Sequence, residues 1–421
     1  MRALILTSIL VGSAISMAWE APGLVDDGLK TDAADWPWWR GPSRNGIADP
    51  NQDPPTEWTD QKNIVWKSPI PGRGHGSPTI VANRIFLATA DETNGSQSVI
   101  CFDRATGEQK WLTVIHATGL MKKNEKSSGA SSTLACDGER VFINFVNDGS
   151  MDVTALDLAG KQLWQTRVAD YKIHQGFGSS PAIYQSLVLV SVDSHAGGAL
   201  AGLDRQTGKI VWKVDRPKTP NYTSPIILHV GGKDQVVYTG CNVVVSLEPL
   251  TGKLLWETKA GTTESVTSTV TDGERVFSTG GYPKNHLAAV LADGSGKIVW
   301  ETRDRVYVPS LLSVDRHLFG ILDAGIAACW KSDTGQERWK KRLRGEFSAS
   351  PVLVGDKIYA TSEAGETFVF RASPEKYEEI AVNKLGDEVM ATPTICGGRI
   401  YMRLVSEQSG SPQDYLYCLA K

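Results

Sequence analysis

The residues best suited to catalysis are dispersed along the chain and form no motif. The seven histidines include no HExxH pair, and the chain contains neither a GxSxG turn nor a GxxxxGK[ST] phosphate loop. Asp193 and Asp323 are predicted to lie in loops, yet neither has acidic neighbours at the spacing of calcium ligands. Both are interpreted as turn residues, so the sequence assigns no catalytic residue, no cofactor-binding residue and no metal ligand.

An aromatic run near the N-terminus is one candidate contact surface. Trp38, Trp39 and Arg40 belong to the run Trp-Pro-Trp-Trp-Arg-Gly-Pro, whose indoles would be costly to leave in water. The run indicates either a plug that closes one face of the fold or an aromatic platform for a carbohydrate or peptide.

Two basic segments are further candidate contact surfaces. Lys122 and Lys123 lie in a charged insertion over residues 116–129, which is either a flexible connector or a partner contact. The run over residues 338–344 is interpreted as the solvated outer edge of a strand, with an anion or nucleic-acid site as the alternative, because basic residues interleaved with aromatics do not recur on several blades.

Composition and the N-terminus indicate an exported, soluble protein. The chain has 421 residues, 41% of them hydrophobic, and a net charge of -3, which is too small to imply a nucleic-acid or anionic membrane partner. Residues 1–18 resemble a cleavable signal peptide, with a retained N-terminal anchor as the alternative. We therefore expect a periplasmic or secreted monomer without a membrane span in the mature chain.

The cysteines show no metal-binding or redox spacing. No CxxC or adjacent pair occurs, and most of the six lie in apolar, strand-like runs, so we interpret them as buried core residues. One long-range disulfide remains open from the sequence alone. The six are Cys101, Cys136, Cys241, Cys329, Cys396 and Cys418.

The elements that carry these residues are repeated along the chain. A glycine is followed four residues later by a tryptophan in six places, within texts such as DRQTGKIVW, and the glycine can supply the positive φ of a hairpin. The six pairs are Gly107/Trp111, Gly160/Trp164, Gly208/Trp212, Gly252/Trp256, Gly296/Trp300 and Gly335/Trp339.

A second motif marks the start of each repeat. It has eight copies with a mean spacing of 45 residues between Pro78 and Pro393. Four short strands in a repeat of this length describe a propeller blade. The eight copies are Ser77-Pro78, Ser132-Thr133, Ser180-Pro181, Ser224-Pro225, Ser268-Thr269, Val308-Pro309, Ser350-Pro351 and Thr392-Pro393.

The sequence therefore predicts an all-β fold, an eight-bladed propeller of four-stranded antiparallel blades. The last repeat stops after three strands, and residues 63–67 supply the missing outermost strand by pairing with residues 415–419. The predicted organisation is a signal peptide at 1–18, a Trp-rich segment at 19–62 and the propeller at 63–421.

Two histidines are placed by this architecture. His75 and His174 each precede a predicted innermost strand, close to the turns at one mouth of the ring. They could line an axial funnel, and the alternative is that they are ordinary loop histidines. No metal or base partner for either is identifiable in the sequence.

The tandem text SSP…LD..TGK..W resembles the PQQ-like repeat family over residues 63–421. That family includes PQQ-dependent alcohol and glucose dehydrogenases, BamB-type outer-membrane assembly factors and many bacterial propellers of unassigned function. The run Trp36–Pro42 and the text Phe347–Pro351 resemble the last group most closely. For a dehydrogenase, the resemblance implies pyrroloquinoline quinone between a tryptophan and two adjacent disulfide-bonded cysteines, with calcium on Glu, Asn and Asp ligands.

This chain departs from the dehydrogenase pattern. It has no adjacent cysteine pair, and its repeats lack the long inserted loops that cover such a site. The leading hypothesis is therefore an exported, non-enzymatic binding or scaffold protein that presents propeller loops to a protein or glycan of the cell envelope. The alternative is a small PQQ-dependent alcohol or sugar dehydrogenase that binds PQQ and calcium.

Overall fold

The alternating apolar runs of the repeats form 32 short strands. A computed structural model describes residues 29–407 and 410–421, and the predicted signal peptide lies outside these ranges. The strands make eight four-stranded antiparallel sheets, which are the eight blades of the predicted propeller. The first strands of successive blades contact one another around the axis, as β2 (Thr79–Val81) and β6 (Ala135–Cys136) do.

Seven blades are each made of four consecutive strands. Blades 1 to 4 comprise β2 to β5 (Thr79–Val81, Arg84–Asp91, Ser96–Asp103, Gln109–His116), β6 to β9 (Ala135–Cys136, Arg140–Asn147, Ser150–Asp157, Gln162–Asp170), β10 to β13 (Ala182–Tyr184, Leu187–Ser194, Gly197–Asp204, Ile210–Arg216) and β14 to β17 (Ile226–Val230, Lys233–Gly240, Val243–Leu247, Leu254–Thr258). Blades 5 to 7 comprise β18 to β21 (Val270–Thr271, Arg275–Gly280, His286–Leu291, Ile298–Thr302), β22 to β25 (Leu312–Val314, His317–Leu322, Ile326–Lys331, Glu337–Arg342) and β26 to β29 (Val352–Val354, Lys357–Thr361, Glu366–Arg371, Glu379–Lys384).

The eighth blade combines the two ends of the chain, as the repeat count requires. It comprises β30 (Thr394–Cys396), β31 (Arg399–Ser406), β32 (Gln413–Leu419) and β1 (Ile64–Pro69). β1 pairs antiparallel with β32, with Trp66 opposite Cys418. The predicted closure by an N-terminal strand is confirmed, and it leaves no blade with three strands.

The Gly-Trp motif is a contact between neighbouring blades. All six motif glycines have positive φ, between 61° and 88°. At Gly208 an added Cβ would also lie 2.6 Å from the Trp164 ring of the preceding blade, so the indole packs directly on the glycine backbone. Trp66 packs in the same way on Gly107, where the corresponding distance is 2.5 Å. Trp66 therefore occupies the predicted wedge position.

The Ser/Thr motif forms a hydrogen-bonded circle around the axis, which we call the hydroxyl ring. At six positions the hydroxyl accepts the backbone N–H of the corresponding residue in the preceding blade, at 2.9–3.0 Å. In blades 2 and 6 the ring residues are Thr133 and Ser310. The motif positions predicted in these two blades, Ser132 and Val308, were therefore wrong by one residue and by two residues. The motif position is defined by the hydroxyl group and not by the proline, because the hydroxyl makes the hydrogen bond to the preceding blade.

The Trp-rich segment closes one face of the ring, and we call residues 36–52 the plug. Trp36 exchanges backbone hydrogen bonds with Ile80 of blade 1, and Pro37 accepts from Cys136 of blade 2. Further contacts follow around the ring to Ala48, which donates to Leu353 of blade 7, and to Gln52, which accepts from Gly398 of blade 8. The plug thus ties blades together across the axis.

The buried core runs through the blades without disulfides. All six cysteines are free and buried, as expected for small core residues. Asp193 lies in β11 rather than in a loop, and it is held there by Arg216 at 3.1 Å and by the Tyr238 hydroxyl at 2.9 Å. No helix among residues 29–407 and 410–421 is both long enough and apolar enough to cross a membrane.

Candidate ligand-binding site

The plug turns the axial channel into a blind cavity. This axial cavity has a volume of about 430 Å³, opens on the face opposite the plug, and has Trp39 among the residues that line it. The Trp39 indole N–H donates to the Ser268 hydroxyl at 2.8 Å, which fixes the ring at the base of the cavity. A volume of this size is within the range of sites for small organic ligands.

The hydroxyl ring lines the wall of the cavity. Seven of its eight members face the cavity, and each is less than 9% exposed. Six of these hydroxyls already accept one backbone N–H, yet among the described residues none of the six donates to an acceptor. Since a hydroxyl is also a donor, their hydrogens remain available to oxygen atoms inside the cavity. The six are Thr133, Ser180, Ser224, Ser310, Ser350 and Thr392.

A second circle of residues lies nearer the mouth, and we call it the rim ring. Every member stands two residues before its blade's hydroxyl-ring residue, and all eight line the cavity. The fixed offset arises because each blade enters its innermost strand with the same backbone path. The members are His75, Ser131, Gly178, Tyr222, Val266, Val308, Ser348 and Met390.

Aromatic and amide side chains complete the lining. Tyr222, Tyr307 and Phe177 contribute rings, and Gln175 and Asn124 contribute amides. The Tyr307 backbone is held by Asp323, whose carboxylate accepts the N–H groups of residues 307 and 308 at 3.1 and 2.9 Å. Asp323 therefore has the turn role predicted for it.

The insertion over residues 116–129 reaches across the mouth of the cavity. Its Asn124 N–H donates to the Gln175 carbonyl at 2.8 Å. Lys126 then pairs with Glu346, in the connection between blades 6 and 7, at 2.7 Å and with Glu363 of blade 7 at 3.3 Å. These carboxylates raise the pKa of Lys126, and they neutralise the one lysine that lines the cavity.

The two predicted histidines are in different environments. His75 is a rim-ring residue, and burial together with Arg403 and Arg73 lowers its pKa to about 3, so it is a neutral hydrogen-bonding group. His174 does not line the cavity, although the next residue, Gln175, does. Its Nε2 lies 3.6 Å from Oε1 of Glu264, whose pKa is raised by burial.

The other predicted contact residues are divided between the plug and the insertion. Trp38 is buried beneath the Arg44 guanidinium at 4.3 Å, and Arg40 is buried and donates to the Leu311 carbonyl. Only Trp39 of this run faces the cavity. Lys122 is exposed, and Lys123 pairs with Glu92 at 2.5 Å. The structure thus brings His75 and Trp39 into one site and leaves the remaining candidates outside its lining.

The cavity does not fit pyrroloquinoline quinone with calcium in the manner that the resemblance implies. The structure shows no adjacent cysteine pair beside the axis, and all six cysteines are buried in the blades. Within residues 29–407 and 410–421, no three His, Cys, Asp or Glu side chains are grouped so that they could hold a metal ion. The Asp193 carboxylate is already paired with Arg216 and the Tyr238 hydroxyl, so it offers no free calcium ligand.

Known structures share this fold at low sequence identity. BamB from Moraxella catarrhalis superposes with a TM-score of 0.60 and 15% identity over 85% of this chain and 97% of that one. A europium-containing methanol dehydrogenase superposes with a TM-score of 0.68 and 12% identity over 94% of this chain and 99% of that one. These likenesses establish the fold and leave the activity open.

Curated relatives match only part of their length. A polyvinylalcohol dehydrogenase from Pseudomonas sp. is 26% identical over 42% of this chain and 28% of the relative. One from Sphingopyxis sp. (strain 113P3) is 27% identical over 51% of this chain and 32% of the relative. The family model described as outer membrane protein assembly factor BamB matches residues 56–195, 196–317 and 304–376. The chain therefore belongs to the BamB-like family of PQQ-like β-propellers.

Proposed function

We propose that this chain is an exported, non-enzymatic binding protein of the cell envelope that holds its ligand or partner at the open face of the propeller. The observation that carries the proposal is the blind axial cavity. Its plug face is filled by residues 36–52, whereas its open face presents the rim ring and the insertion with Lys126. A rigid ring with one open face is suited to presenting loops to a partner.

The lining of the cavity supports binding more than catalysis. Acid–base or nucleophilic chemistry requires a titratable group within reach of a substrate, with its own positioning partner. His75 is neutral and Lys126 is ion-paired, and the cavity lining includes no carboxylate. The BamB-like family membership supports a role in binding, and we propose a protein or glycan of the envelope as the partner.

A PQQ-dependent dehydrogenase is the alternative from a different class. The polyvinylalcohol dehydrogenases support it by sequence, but the chain spans about a third of those relatives, and no described residue cluster supplies the implied cation site. No feature of the cavity favours this alternative over binding.

The test is site-specific photo-crosslinking in envelope extract. A photoreactive residue at Val308, on the rim ring, is compared with one at Gln206, in the Asp204–Lys209 turn of the plug face. We expect a discrete adduct from position 308 and none from 206. Equal labelling at both sites, or turnover of an alcohol or sugar by the pure protein with PQQ and calcium, would overturn the proposal.

A further inference from the structure

The axial cavity combines ring hydroxyls, aromatic surfaces and amides with almost no net charge. Lys126 is its one charged lining residue, and Glu346 and Glu363 already pair with it. An anion entering the cavity would therefore have to compete with two carboxylates for the ammonium group. The cavity favours a ligand without formal charge.

The hydroxyl ring sets a second requirement. Six buried hydroxyls, at residues such as Ser180 and Ser350, have no acceptor among the described side chains and backbone, and all six line the cavity. A purely apolar ligand would leave these donors without acceptors, which is unfavourable in a buried site. The ligand must therefore carry several oxygen acceptors arranged around the axis.

The aromatic side chains set the third requirement. Trp39, Tyr222, Tyr307 and Phe177 all line the same cavity as the hydroxyls. Aromatic rings bind apolar C–H surfaces, whereas the amides of Asn124 and Gln175 can both donate and accept. A compound with one apolar face and an edge of hydroxyl groups satisfies both surfaces at once.

We propose that the axial cavity binds one or two residues of a neutral carbohydrate. A sugar ring is uncharged, carries several hydroxyl groups that accept and donate, and has C–H faces that pack on aromatic rings. This inference rests on the proposed binding function and specifies the chemical class of its ligand. The cavity volume of about 430 Å³ is suited to a small ligand, so we expect the site to bind a terminal unit rather than the middle of a polymer.

The test is binding of defined neutral sugars to the purified protein. The panel is glucose, galactose, mannose, N-acetylglucosamine, maltose and cellobiose, with glucuronate as the charged comparison and indole as the apolar one. Saturation-transfer NMR identifies binders, and calorimetry measures their affinity. We expect at least one neutral sugar to bind with 1:1 stoichiometry and more tightly than glucuronate or indole.

Variants locate the site. Tyr307→Ala and Gln175→Ala should each weaken sugar binding at least tenfold, while Gln206→Ala on the plug face should leave it unchanged. Circular dichroism and thermal unfolding verify that each variant is folded. Binding that survives both cavity substitutions, binding of indole or glucuronate in preference, or no sugar binding at all would each overturn the carbohydrate inference. A rim-specific crosslink that persists without sugar binding would leave the proposed binding function standing, so the two failures are distinguishable.

Discussion

The strand that closes the ring can be tested through Trp66. This indole packs on Gly107 of blade 1 and against Tyr401 of blade 8, with the ring centroids of Trp66 and Tyr401 6.2 Å apart, so it joins the closed blade 8 to blade 1. Removing a buried tryptophan costs about 3–5 kcal/mol. Trp66 is partly exposed, and its buried Nε1–H has no acceptor in the described structure. We therefore expect Trp66→Ala to lower the free energy of unfolding by about 3 kcal/mol, the lower end of that range.

Trp164 provides the matched control, because it makes the same contact on Gly208 within an uninterrupted part of the chain. Its indole N–H donates to the Arg205 carbonyl at 3.2 Å, so Trp164→Ala loses a hydrogen bond as well and should cost about 1 kcal/mol more. Urea unfolding followed by circular dichroism measures both losses of stability. Equal slopes of the free energy of unfolding against urea concentration verify that the two variants unfold in the same transition.

A loss below about 1 kcal/mol for Trp66→Ala would refute the reasoning, since it would place the closure contact outside the range of buried aromatics. A second variant lacking residues 19–70 removes both the plug and β1. It should lose cooperative unfolding, because β32 becomes an unpaired edge. A fully stable truncated protein would show that the ring does not depend on its N-terminal strand.

Three further changes test the motif glycines, a buried ion pair and a cavity histidine. Gly208→Ala should destabilise the fold by about 2–3 kcal/mol, because positive φ costs about 1 kcal/mol and the clash with the Trp164 indole adds the remainder. Gly232 has a φ of 77° and open space around it, so Gly232→Ala should cost only about 1 kcal/mol, the part due to the positive φ. The midpoints of urea unfolding measure both losses. Arg403→Met leaves Asp414 buried with one fewer partner and should cost about 3 kcal/mol in the same assay, and an unchanged midpoint would contradict a structural role for the pair. The pKa of His75 in the folded protein, about 3, lies below its unfolded value of about 6.5, so the unfolded chain binds more protons and stability falls as the pH drops from about 6.5 towards 3. His75→Gln should flatten that part of the profile of melting temperature against pH. An unchanged slope would assign the acid sensitivity to other groups.

The sequence predicted the architecture because each repeat is recognisable from motifs only a few residues long. Six Gly-Trp pairs and eight copies of the second motif, seven of them beginning with Ser or Thr, were enough for the blade count, and the missing last strand identified residues 63–67 as its replacement. The errors arose where the pattern changes. In blade 6, Pro309 drew the alignment to Val308, although the hydroxyl of Ser310 makes the structural contact.

The cavity was predicted only in part. Its lining comes from residues hundreds of positions apart, and no local pattern states that Tyr222, Tyr307 and Trp39 share one space. The rim ring could have been found from its constant offset of two residues before the hydroxyl position, but among its members only His75 has a side chain of a type that is often catalytic. Lys126 was missed because its role depends on Glu346 and Glu363, on the far side of the mouth.

The plug has a consequence for the order of synthesis. Residues 36–52 and β1 precede their partners along the chain, and these partners include Leu353, Gly398 and the strand that ends at Leu419. The earliest residues of the fold are therefore the last to acquire all their contacts, and such long-range pairing is intrinsically slow. A chain that stops before its final blade lacks the neighbours of Trp36 in that blade, so this apolar side chain should stay exposed until the ring closes, as surfaces that chaperones and proteases recognise do.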